Sequence, residues 1–220
     1  MGIRGFISLD VETANADFGS ICAVGLAQFR DGEFVNQMTI LVDPEDHFDP
    51  RNIAIHGIRP EDVAGKPTMA KVFPAIASQL TDTIVTHHSP FDRGALRRAA
   101  SRYGVADLSC NWIDTVAVAR RTWRELKGNG GYGLKSLSQF HGFQFRHHEA
   151  AEDARASGLI MLKALEDSGL DLEDWLDLLE SKAPVETAVA SRRTEVFARY
   201  ARVGVEGGRL AGETIVFTAS

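Results

Sequence analysis

Four acids and one histidine in this chain have types and spacing that could do chemistry together. Asp10 and Glu12 stand in FISLDVET, Asp92 follows IVTHHSPF, and His148 and Asp153 lie in HHEAAEDA. Asp10 and Glu12 are two residues apart at a strand end, so the period of two puts both side chains on one side. Taken singly, each has an ordinary explanation: solvent-facing acids at a strand end, a first-turn acid favoured by the helix dipole at Asp92, a helix-start histidine and a surface acid. Taken jointly, all sit at sheet edges or helix starts, where α/β folds gather ligands. Phosphodiester hydrolysis calls for such a set, because it needs a nucleophile at neutral pH, neutralisation of charge on the phosphorane and help for the leaving oxygen. Two divalent cations about 3.5–4 Å apart supply all three, and hard cations such as Mg²⁺ or Mn²⁺ take carboxylate oxygens. A neutral imidazole beside the attacking water can accept its proton.

Composition limits what can surround these residues. The 220 residues suffice for one well-packed domain plus an appendage. Hydrophobic content of 44% and charged content of 25% belong to an ordinary globular chain. Cys22 and Cys110 are isolated, with no CxxC pair and no His/Cys cluster at zinc spacing, which argues against a disulfide framework or a zinc site and points to oxygen ligands for any metal. A net charge of −6 argues against holding nucleic acid mainly by a basic surface, yet cations seated on carboxylates can meet phosphates instead. No apolar run is long enough to span a bilayer, and MGIRGFISLD lacks the order of a signal peptide, so a cytoplasmic protein with no membrane contact is expected.

The elements that must position the acids can be read from pattern. GFISLDV, SICAVGLAQF and EFVNQMTILV read as three strands, with Asp31-Gly32 as a hairpin turn between the last two. After a polar, proline-bearing loop at 43–67, Met69, Val72, Phe73, Ile76 and Leu80 recur at helical spacing, and DTIVTH reads as a buried strand. A helix through Phe91, Leu96, Ala99, Ala100 and Tyr103 follows, then a strand at NWIDT. Next come a helix through Val116, Ala119 and Trp123, a flexible KGNGGYG loop and a helix restarting at Leu134, Leu137 and Phe140. Residues 149–166 form a strong helix by propensity, with Ala151, Ala154, Gly158, Met161, Leu162 and Leu165 facing inward. An antiparallel three-strand meander followed by alternating helices and parallel strands is an α/β fold, one mixed sheet flanked by helices.

FISLDVETAN, VTHHSPFD, GLKSLSQFHGF and HHEAAEDAR, together with IAIHGI at 53–58, resemble in order and spacing the motifs of the DEDD exonucleases, the class of the epsilon proofreading subunit of bacterial DNA polymerase III. The resemblance covers residues 5 to about 165 and implies a ribonuclease H-like fold and a metal-dependent 3′→5′ exonuclease. It implies that Asp10 bridges two cations, Mg²⁺ or Mn²⁺, that Glu12 and Asp153 complete the sphere of the one carrying the attacking water, and that Asp92 holds the other. It makes His148 the general base, since histidine stands five residues before Asp153 and Glu149, not tyrosine, stands four before. His147 is one residue out of that register. Thr13, His56, His87 and Phe91 are implied contacts to a 3′-terminal nucleotide, DNA being favoured over RNA, although Phe91 also suits a core position. The one departure is His88, where the histidine branch usually has asparagine. A catalytically inactive binding module of the same fold is the reading from another class, and the filled chemical positions speak against it.

From about 169 the character changes to acidic LDLEDWLDLLE and then SRRTEVFARYARVG, so the chain reads as a catalytic domain at 1–168, a helical linker at 169–206 and a remainder at 207–220. That remainder, GGRLAGETIVFTAS, resembles the opening of a BRCT domain, which implies a DNA-associated partner such as a polymerase or repair complex.

Overall fold

The computed structural model of the protein describes residues 5–128, 131–181, 184–192 and 194. Its sheet holds β1 (Phe6–Thr13), β2 (Ile21–Arg30), β3 (Glu33–Leu41), β4 (Ile84–His87) and β5 (Asn111–Asp114) in the order β3-β2-β1-β4-β5. The first three strands pair antiparallel, while β4 joins β1 and β5 joins β4 in parallel, as the meander-then-alternation pattern predicts. Asp31 and Gly32 have φ of 52° and 82°, the left-handed pair that a two-residue hairpin requires.

The helices are α1 (Pro50–His56), α2 (Pro60–Val63), α3 (Met69–Leu80), α4 (Pro90–Tyr103), α5 (Thr115–Thr122), α6 (Leu134–His141), α7 (Ala150–Ser168) and α8 (Leu172–Ser181). The loop expected at 43–67 contains α1 and α2. Each begins at a proline whose fixed φ suits a first turn, and α1 buries no residue, so no apolar period marked it in the sequence.

Alternation along β1 separates two layers. Ile7, Leu9 and Val11 pack with α3 and α4, while Phe6 and Ser8 face α7, as do Asp10 and Glu12 further along the same side. Two glycines permit the close approach of α7 to the sheet. A Cβ at Gly25 would lie 2.0 Å from the Ala150 backbone, and one at Gly158 would lie 2.0 Å from the Phe29 ring. Gly25 is also the β2 partner of Asp10, so the absence of a side chain there lets the start of α7 lie over the Asp10 end of β1.

The segment read as a helical linker is helical at α8 and again over residues 185–192, and α8 is docked. Leu170, Leu172, Trp175 and Leu178 are buried in the same cluster as α7, and the Leu178 carbonyl accepts a bond from Arg121 Nη1 at 3.0 Å. The acidic face of LDLEDWLDLLE hid this, because its apolar members are spaced as one narrow stripe that looks like any amphipathic helix until a partner surface exists. The BRCT-like stretch at 207–220 lies outside the described residues.

Candidate active site

Three separate elements deliver the acids. Asp10 and Glu12 come from the end of β1, Asp92 from the first turn of α4 and Asp153 from the first turn of α7. Carboxylate oxygens of Asp10, Glu12 and Asp153 all lie within 4.8 Å of one another. Asp92 reaches the group from the opposite layer, and its Oδ1 accepts the backbone N–H of Val11 at 3.1 Å. Asp92 and Asp153 are buried, whereas Asp10 and Glu12 keep part of their surface open to the cleft.

Among the described residues no lysine or arginine pairs with any of these four acids. Burial, then the charges of Asp92, Asp153 and Glu12, hold the Asp10 carboxyl well above the usual carboxylate range. Burial, with Asp153 and Asp92 adding to it, pushes Glu12 up to about 8. Burial likewise lifts Asp92 to about 7, against the lowering effect of the Val11 N–H, and Asp153 is raised in spite of its two histidine neighbours. Packed anions without a counter-charge are costly to keep ionised, and a divalent cation offsets that cost by the same Coulombic route. The donor set is oxygen only at Asp10, Glu12 and Asp92, which fits a hard cation.

Asp153 is the best supported of the four. His147 Nδ1–H donates to its Oδ1 at 3.0 Å, and the His148 backbone N–H donates to Oδ2 at 2.9 Å. In the second bond the fourth residue of α7 reaches back to the residue before the N-cap Glu149, fixing the chain's entry into the helix. It accompanies a left-handed backbone at His148, with φ of 68°. The two imidazoles stack with centroids 3.9 Å apart, and both offer a nitrogen within 4.8 Å of Asp153 oxygen. Burial and the neighbouring His147 hold His148 below its ordinary pKa, so it is neutral at neutral pH and able to accept a proton. His147 was passed over in the sequence as out of register; its tie to Asp153 appears only once the turn before α7 is folded.

The expected nucleotide contacts divide. Thr13 and His56 come together: the Thr13 carbonyl accepts from His56 Nε2 at 3.2 Å and from Asn52 Nδ2 at 2.8 Å, and His56 lies near enough to His148 for their charges to interact. Phe91 is half-buried, packed against the α4 core and edge-to-face with exposed Phe18 at 4.8 Å. His87 is different. Its ring is 3% exposed, edge-on to Trp112, and bonded through Nδ1 to the Ser89 carbonyl, so the structure does not bring it to the cleft. As the last residue of the buried strand IVTH it points into the layer, whereas the family resemblance had implied a nucleotide contact.

His88, the departure from the expected asparagine, closes a structural tie. Its Nε2–H donates to the Tyr132 carbonyl at 2.9 Å, and its Nδ1 lies 2.8 Å from Thr115 Oγ1. Burial lowers its pKa to about 4, which keeps it neutral. The next residue, Ser89, has φ of 119° and caps α4 by accepting the Phe91 N–H at 3.4 Å. Thus the unusual string before Asp92 anchors the start of α4 to the loop before α6.

Comparison with known proteins defines the class. The exonuclease family model, RNase_T, matches residues 7–161, and the chain belongs to this family. It is 30% identical over 165 residues to the PolC-type DNA polymerase III of Thermotoga petrophila, an alignment covering 73% of this chain and 12% of that protein. It is 28% identical over 172 residues to exodeoxyribonuclease 10 of Escherichia coli K12, covering 77% of this chain and 73% of the relative. The chain therefore spans only a small part of the polymerase relatives. Among solved structures, exonuclease X in complex with 5′ overhanging duplex DNA superimposes with a TM-score of 0.62 at 24% identity, covering 79% of this chain and 98% of that one. The nuclease domain of 3′hExo, a DEDDh family member bound to rAMP, gives 0.64 at 15% identity, covering 75% and 93%. The mixed sheet is the ribonuclease H-like fold that the motifs implied, and a nuclease working with divalent metal ions is the family's character. No helix among the described residues is long and apolar enough to cross a membrane.

Proposed function

We propose that the chain is a histidine-branch 3′→5′ exonuclease that removes nucleoside 5′-monophosphates from the end of a DNA strand. The observation that carries this is the convergence of four carboxylates without a cationic side-chain partner, beside a neutral histidine. Asp10, Glu12, Asp92 and Asp153 would hold two Mg²⁺ or Mn²⁺ ions, which would supply charge neutralisation and a nucleophile at neutral pH. Asp10 is close enough to feel the charges of Asp92, Asp153 and Glu12, and would be the ligand common to both ions. His147 and the His148 N–H orient the Asp153 carboxylate. His148 takes the proton from the attacking water, and Thr13 with His56 lines the place of the terminal nucleotide.

DNA is favoured by the likeness to exodeoxyribonuclease 10, of which the alignment covers 73%. The likeness to PolC-type polymerases supports a proofreading or repair setting, in the cytoplasm, with a polymerase or repair complex as partner. The BRCT-like opening at 207–220 fits the same setting, with 1–168 as the catalytic domain and 169–206 joining the two. Digestion of end-labelled DNA and RNA strands of equal sequence tests the activity. Release of 5′-monophosphates from the 3′ end, dependent on Mg²⁺ or Mn²⁺ and faster on DNA, is expected. Faster release from RNA replaces the substrate, and no release with either metal overturns the activity.

A further inference from the structure

The helix that carries Asp92 also borders a groove that the hydrolytic chemistry does not use. It lies between the β1–β2 turn and α4, with a volume of about 1000 Å³. Phe18 lies in the turn and is 50% exposed. Its ring meets Phe91 edge-to-face, and Phe91 stands in the first turn of α4 beside Asp92 in sequence, which ties the groove's turn to the helix start that carries Asp92. The turn is held in place. The Asp17 N–H donates to Asn15 Oδ1 at 2.8 Å, the Gly19 N–H donates to Asp17 Oδ1 at 3.0 Å, and Arg98 Nε reaches Asp17 at 3.4 Å.

The opposite wall is basic and deliberately open. Arg97 is exposed in the groove and has no ion pair among the described residues, whereas Arg98 is engaged with Asp17. Asp92 is the single acid on α4, against Arg93, Arg97, Arg98 and Arg102. Gly94 sits inside this helix with nothing within 4 Å of where a Cβ would be. A helix-interior glycine costs about 1 kcal/mol relative to alanine, and packing does not require this one. It leaves the groove floor clear.

We infer that this groove is a subsite for the strand upstream of the scissile phosphate, with a base stacked on Phe18 and a phosphate on Arg97. The inference rests on the exonuclease reading. An aromatic platform beside a guanidinium suits a single-stranded nucleic acid of any sequence, since every base has a π-face and every linkage an anionic oxygen. Within a chain of net charge −6, this wall is also where a polyanion meets positive charge.

The test compares two substrates: a short single-stranded oligonucleotide, and the p-nitrophenyl ester of thymidine 5′-monophosphate, which has a scissile phosphate but no upstream strand. The readout is the ratio of kcat/KM for the strand to that for the ester. Phe18→Ala should lower this ratio about 5- to 150-fold, the span of one lost base stack, mostly through KM, and Phe18→Trp should retain it. Gly94→Leu should lower it while the melting temperature holds or rises. Arg97→Gln should lower it and flatten the salt dependence of KM by a slope of about 0.7. An unchanged ratio in both Phe18→Ala and Gly94→Leu overturns the subsite. If the wild type hydrolyses neither substrate, the exonuclease reading fails. Fluorescence anisotropy of a labelled strand then decides the subsite separately, since binding lost in Phe18→Ala supports it and binding indifferent to Phe18 overturns it.

Discussion

Two groups of acids near the same end of the sheet behave in opposite ways. At the centre, Asp10, Glu12, Asp92 and Asp153 crowd together with no arginine or lysine, and all are harder to ionise than usual. On the outer side of α4, Asp17 and Asp46 face Arg98 and Arg102 and are easier to ionise. Asp17 is lowered first by the Gly19 N–H, and hydrogen bonds from Arg102 and His47 outweigh burial to bring Asp46 to about 2. The outer acids hold loops to a helix and are satisfied by the fold itself. The inner acids have hydrogen-bond donors but no lysine or arginine partner among the described residues, and a divalent cation would offset their repulsion.

The comparison is broken most severely by Asp10→Asn. It should abolish hydrolysis and the rise in melting temperature with Mn²⁺, because a ligand that binds only the native state must stabilise it. At pH 8 without metal the same variant should be more stable than the wild type, since a repelled, partly buried charge is gone. Asp10→Asn that is less stable than wild type under those conditions would show that the inner acids are not in repulsion.

His148→Ala should lower turnover about 10²–10⁴-fold while calorimetric Mn²⁺ binding survives, as expected for a proton acceptor. Loss of binding as complete as in Asp10→Asn would make the imidazole a ligand. Gly25→Ala touches no acid, yet its new Cβ would collide with the Ala150 backbone. A cost at or above the usual 1–3 kcal/mol of overpacking is expected, together with weaker metal binding as Asp153 shifts. Denaturant unfolding beside Mn²⁺ titration would show whether the two move together.

The pH dependence sharpens the contrast. Glu12 at about 8 and Asp92 at about 7 bind protons more tightly folded than unfolded, so their contribution is full below their ordinary pKa values and lost as pH rises to those levels. Metal-free protein should therefore lose stability from about pH 5 to pH 8, and saturating Mg²⁺ should flatten the decline. Asp46 has the opposite sign and withdraws its contribution as pH falls below its ordinary range toward about 2. Thermal melts across pH with and without Mg²⁺ check this, and stability that rises from pH 5 to 8 without metal would refute it. The smallest change is Arg102→Ala, an exposed partner whose loss should cost only about 0–1 kcal/mol, with little effect on turnover.

Much of this was legible in the linear chain. Local pattern sufficed for β1 to β5, the Asp31-Gly32 hairpin and the helices from α3 to α7, because alternation, helical spacing and turn residues act over a few positions. The five chemical residues were marked by type and order, since phosphodiester chemistry with hard cations admits few alternatives to carboxylates and an imidazole. Local pattern could not show that α1 exists without a buried face, that His87 turns inward to Trp112, or that α8 docks through Trp175. Nor could it show that His147 grips Asp153, or that Gly25 admits α7 over Asp10. Each of those depends on contacts between segments far apart in the chain. Only the tertiary structure brings the neighbouring charges and backbone into range, and burial and Coulombic repulsion then decide which acids are paired by arginine and which are left for a metal.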